Sequence, residues 1–171
     1  MTRTVVLLLF TLAGCAGLPE SARPPALPTA VTVPPGHEHA MTLRAKGSLN
    51  YECRPVPGMS GAYGWVLMAT DAALLHWSGV RVGRVYAGPT WSYRDGSRLT
   101  GQLRASSPAG GGHLPVQLWE TRSTGKPGEL GGVKYVQRLN AKGGAPEKGC
   151  DAAAVGRGQS FAFEADFAFH R

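Results

Sequence analysis

Near its C-terminal end the chain reads F-A-F-E-A-D-F-A-F over residues 161–169. In an extended backbone Phe161, Phe163, Ala165, Phe167 and Phe169 fall on one side, and Ala162, Glu164, Asp166 and Ala168 on the other. Successive side chains of a strand point to opposite faces, so strict alternation marks a strand half in a core and half in solvent. A helical period would scatter the four rings around an axis. Four rings on one face demand a broad apolar surface opposite, which a sheet supplies.

The same period recurs near residue 40. Met41, Leu43 and Ala45 alternate with Thr42, Arg44 and Lys46; beyond Gly47, Leu49, Tyr51 and Cys53 alternate with Asn50, Glu52 and Arg54. This reads as a second strand region, interrupted at the glycine. Further strands are expected at 64–69, 80–87, 90–94, 98–105, 115–123 and 133–140, with helix confined at most to 71–75. The 24 Gly and 13 Pro place turns between them. Asp95-Gly96 is a hairpin signal that predicts a type I′ turn, and Gly88-Pro89 predicts a corner between Tyr86 and Trp91. The expected fold is all-β, an antiparallel sandwich or barrel-like single domain, and 171 residues suit one core.

The amino terminus has a different logic. One positive charge, Arg3, precedes the apolar run from Val5 to Ala13, which is shorter than the roughly 20 residues a bilayer span needs but suits a signal-peptide core. The run ends in L-A-G-C, which resembles the bacterial lipobox that directs acylation of its cysteine, here Cys15. An ordinary secretory leader with an incidental cysteine is the alternative. Residues 1–14 are then a signal peptide, 15–39 a lipidated cysteine and Pro-rich tether, and 40–171 the β-rich domain. Ala16, rather than the Asp associated with inner-membrane retention, directs the expectation to the outer membrane facing the periplasm, or to the cell surface. Acyl chains at Cys15 make the membrane a partner, since each buried methylene contributes about 0.8 kcal/mol.

Three cysteines less the lipidated one leave Cys53 and Cys150, an even pair in an oxidising compartment, which predicts a disulfide; free thiols or half a metal site are the alternatives. The formal net charge of +7 favours anionic neighbours such as an envelope polymer. Its basic residues are scattered rather than gathered in a stripe, which argues against nucleic acid.

Common catalytic signatures are absent: no G-x-S-x-G, no phosphate loop, no dinucleotide fingerprint and no H-E-x-x-H. His37-Glu38-His39 could offer two imidazoles but sits in the tether, so no metal or other cofactor is expected. His76, His113 and His170 are isolated in sequence and read as structural or exposed. Asp95 and Glu120 are the carboxylates that could serve a glycosidase as acid and base. Tyr86, Trp91 and Tyr93 are candidate ligand contacts; with Tyr63, Trp65, Trp77 and Trp119 they form an aromatic set that is either core or a platform for sugar or lipid.

Several motifs taken in order resemble a known family. N-Y-E-C-R (50–54), the lone Trp65, V-G-R-V-Y-A-G-P-T-W (82–91), D-G-S (95–97), V-K-Y-V-Q-R-L-N (133–140), G-G-A-P (143–146), Cys150 and F-E-A-D-F-A-F are similar to the family filed as domain of unknown function 3455, found in secreted bacterial and fungal proteins. The resemblance runs from about Ala40 to the end. It implies a β-rich extracellular domain with first and last domain cysteines paired, and no established reaction. The family's usual His before the Tyr of A-G-P-T-W is Val85 here, and its Trp-containing strand appears as L-P-V-Q-L-W-E, residues 114–120. The functional expectation is a lipid-anchored envelope protein that binds a ligand or serves a structural role, such as docking a protein partner, without catalysis; the alternative is a hydrolase of envelope glycan or lipid.

Overall fold

The computed structural model describes residues 27–86 and 88–171. Eight strands follow one another around a closed antiparallel barrel: β1 (His39–Pro55), β2 (Tyr63–Leu75), β3 (Arg81–Tyr86), β4 (Thr90–Tyr93), β5 (Arg98–Ser107), β6 (Val116–Ser123), β7 (Tyr135–Gly143) and β8 (Gly158–His170). β8 returns to pair with β1, from His39↔His170 to Glu52↔Gly158, and this seam closes the sheet. Of the two architectures the alternation allowed, the barrel is the one formed. The predicted aromatic face of β8 points inward: Phe163, Phe167 and Phe169 are buried with Leu43, Ala45, Leu49, Leu74, Trp91, Leu99 and Val136 in one core.

Two expectations are corrected along β1 and β2. Gly47 does not interrupt a strand; β1 runs through it, because β2 crosses so closely that a Cβ there would lie 2.1 Å from the Asp71 carbonyl oxygen. Residues 71–75 are not helical but complete β2, where Ala72 and Leu74 face the core opposite Gly47 and Ala45. Alternation of small and large apolar residues in so short a run suits either period, and pairing with β1 and β3 decides it. Among the described residues the helical elements are 3-10 turns at Thr29–Val31 and Ala152–Ala154.

The Asp95-Gly96 hairpin forms, but not as a type I′ turn. Gly96 has φ +89°, whereas Asp95 is not among the residues of positive φ, and the loop is the three-residue kind, closed by Tyr93 N–H donating to the Ser97 carbonyl. Asp95 instead uses its carboxylate. Oδ1 accepts from the Ser97 N–H at 2.8 Å and the Ser97 hydroxyl at 2.6 Å, and Oδ2 accepts from the Glu129 N–H at 2.6 Å. Ser97 Oγ in turn accepts from Leu130 N–H. These bonds tie the turn to the long β6–β7 connection, whose Leu130 and Val133 are buried and plug this end of the barrel.

Cys53 and Cys150 form the expected disulfide, with the Cα atoms 6.1 Å apart, joining the end of β1 to the connection that leads into β8. The expected lipidation site Cys15, the leader and the first part of the tether lie outside the described residues. From Leu27 onward the Pro-rich stretch lies on the barrel wall. Val31 is buried, its carbonyl accepts from Gln137 Nε2 at 2.7 Å, and Glu38 and Arg171 exchange two backbone hydrogen bonds.

Candidate functional site

Strand length builds an opening into the wall. β3 and β4 are short, and they stand between long β2 and β5. β3 pairs with only Asp71 to Leu75 of β2, and β4 with only Leu99 and its neighbours on β5. Beyond the β3–β4 turn at Gly88 and Pro89, residues 63–70 of β2 and 102–107 of β5 therefore have no strand partner on that side among the described residues. Leu67 and Leu103 belong to these overhangs. Register points both inward, Leu67 opposite Tyr51 and Leu103 opposite Trp119, yet they are 47% and 49% exposed. Inward-facing leucines that water still reaches mark the lips of a cavity.

Behind them lies a hollow of about 330 Å³, lined by Leu49, Thr70, Val85, Trp91, Gly101, Trp119, Arg138, Phe163 and Phe167 as well as by the lips. This is within the range of small-molecule pockets, generally about 300–1,000 Å³. The aromatic wall is organised around Trp91, which is 1% exposed and meets Trp119, Phe167 and Phe169 edge to face at centroid distances of 5.5, 5.7 and 6.5 Å. Gly101 makes room for it: a Cβ there would lie 2.8 Å from the Trp91 ring. Among the described residues, buried Trp91 Nε1 has no hydrogen-bond partner.

Arg138 is the charged group of this wall. It is 9% exposed, its Nε donates to the Pro115 carbonyl at 3.1 Å, its Nη2 donates to Gln117 Oε1 at 2.5 Å, and its guanidinium lies over the Trp119 ring at 5.3 Å. Among the described residues no acid pairs with it and no acceptor meets Nη1. Burial pushes its pKa down to about 10, against a smaller opposing effect of Tyr51, so it remains charged at neutral pH. Burial raises the Tyr51 pKa, and its hydroxyl donates to the Gly144 carbonyl, so it stays neutral.

The structure separates the residues singled out in the sequence. Of Tyr86, Trp91 and Tyr93 only Trp91 lines the cavity. Tyr86 lies on the outer face near the guanidinium groups of Arg84 and Arg98, and Tyr93 packs at the plugged end. Asp95 is the turn staple described above, with its pKa held below the ordinary value chiefly by the Glu129 N–H and the Ser97 hydroxyl. Glu120 lies on the outer wall in an ion pair with Arg104. Among the described residues no contact or shared hollow joins the two carboxylates, and each has a structural partner. The histidines also have local roles: His113 accepts from the Gly143 N–H, His170 bonds Gln137, His76 bonds Ser78, His39 bonds Thr42 and His37 packs against Tyr135.

Sequence reasoning missed Arg138, Leu67 and Leu103. The available signal for Arg138 was its phase: it is two residues from Val136, so it shares the inward face of β7. A larger hollow of about 540 Å³ lies at the open end beside the disulfide, but its wall is largely the glycine-rich backbone of residues 143–151, and its Trp65 already donates to the Lys148 carbonyl. The barrel interior is the better-built site.

The model of a family described as "Protein of unknown function (DUF3455)" matches residues 34–171, and the chain belongs to that family. No curated protein and no solved structure matches it.

Proposed function

We propose that this family member is a non-enzymatic binding protein of the bacterial envelope, held to a membrane through acylated Cys15, that carries a small apolar or amphiphilic molecule inside its barrel. The observation that carries the reading is the notch above the β3–β4 turn, where inward-facing Leu67 and Leu103 stay exposed over an aromatic-floored cavity. A folded domain gains by removing inward apolar side chains from water, at about 25 cal/mol per Å². Leaving two of them accessible is favourable when another molecule completes their burial. The hydrolase alternative draws no support from the geometry, since Asp95 and Glu120 are each held in a separate structural role.

Native mass spectrometry of the protein extracted gently from its own host's envelope tests this. A reproducible small mass, retained in the native spectrum and lost on denaturation, is expected; the denaturing spectrum reports acylation of Cys15. Protein that never carries such a mass, and binds no amphiphile added back, overturns the proposal.

A further inference from the structure

Building on the binding reading, we infer that the molecule carried in the barrel has an anionic head group, which the guanidinium of Arg138 receives, and an apolar tail, which Trp91, Phe167, Leu67 and Leu103 receive. A buried charge without an opposite charge is costly, and replacing such groups with apolar ones is often neutral or stabilising. Stability alone therefore gives little reason for an arginine here. Its surroundings also fix it as a receptor would. Pro115 and Gln117 hold Nε and Nη2, Trp119 supports the planar face, and Nη1 is left over. A guanidinium fork suits the two oxygens of a carboxylate or a phosphate. Tyr51, the titratable group coupled to Arg138, is neutral and supplies no counter-charge.

Trp91 closes the floor of the hollow, 1% exposed and packed edge to face on Trp119 and Phe167, so the end of the site away from Arg138 is apolar. Size narrows the class. The hollow, about 330 Å³, is at the small end of the range for ligand pockets. A medium-chain acid or an aryl acid fits this, with any longer tail leaving between Leu67 and Leu103.

Calorimetric titration of the full mature domain with decanoate, decyl phosphate and decanol reads the inference directly. Decanoate or decyl phosphate is expected to bind at least tenfold more tightly than decanol, and the better of the two names the head group. Arg138→Met is expected to lose the preference for the anions over decanol. Because that variant keeps the remaining basic surface, the loss would be local rather than a general effect of net positive charge. Equal affinity for decanol and both anions in the unaltered protein overturns the inference while leaving the binding reading intact, as does a preference that survives in Arg138→Met. Failure of all three ligands overturns both. Should Arg138→Met not fold, the comparison in the unaltered protein still decides.

Discussion

Trp91→Ala is the perturbation whose size follows most fully from the structure. The ring is 1% exposed, sits edge to face with three other aromatic rings, and lies against Gly101. Truncating a large buried aromatic to alanine costs about 3–5 kcal/mol, because transfer free energy and contacts are lost and the space refills only in part. Two features pull the value towards the lower end. One side of the residue already borders the hollow, and removal of an unpartnered buried N–H relieves a cost of about 1–3 kcal/mol. A loss of about 3 kcal/mol results. With an unfolding entropy of about 2.1 cal/mol/K per residue over roughly 140 residues, this lowers Tm by about 10 °C. Differential scanning calorimetry measures it, with Trp91→Phe as the companion that keeps most of the packing and removes the N–H. That variant is expected to fall within about 1.5 kcal/mol of the unaltered protein. A Tm change below about 3 °C in Trp91→Ala would refute the packing argument. Equal losses in both variants would show that the indole N–H makes a bond within the protein.

Three further outcomes follow from the scaffold. Gly47→Ala should destabilise by about 1–3 kcal/mol or more, since its Cβ meets the backbone of β2 rather than a flexible side chain; an unchanged urea midpoint would contradict the close crossing. Cys53→Ser with Cys150→Ser should cost about 4–5 kcal/mol on the chain-entropy account of a 97-residue separation, read by the same melts against the oxidised protein. Asp95 has a folded pKa below 3.8, so the unfolded chain binds the proton more readily; its stabilisation is complete above that value and is lost as pH falls through the folded pKa. Urea melts from about pH 5 to about pH 2 should therefore lose part of their pH slope in Asp95→Asn, and an identical slope would dismiss the staple.

How far the sequence carried can be judged from particular elements. The β8 alternation was decisive because one face is buried and the other wet, which is the condition under which period two is visible. The cysteine pair was legible from parity and from the oxidising compartment the amino terminus led one to expect. Barrel against sandwich was not, since both alternate; the outcome rests on β8 returning to β1, a long-range pairing with no local signature. Gly47 looked like a break because a glycine's permissiveness is visible in sequence, whereas the neighbouring backbone that demands it is not. Asp95 was read through its dihedral preference, but its carboxylate bonds to Glu129, far along the chain, set its role. The cavity depends on relative strand lengths and on which acids fail to reach Arg138. Both are properties of the assembled barrel.

The most direct test of the central claim is an experimental crystal structure of the protein purified from its own host without delipidation. The account predicts connected non-protein density between Leu67 and Leu103, running over Trp91 and Phe167, with its polar end at Arg138 Nη1. An interior in which the aromatic rings have closed on one another, or one that holds ordered water alone with Leu67 and Leu103 still open, would contradict it.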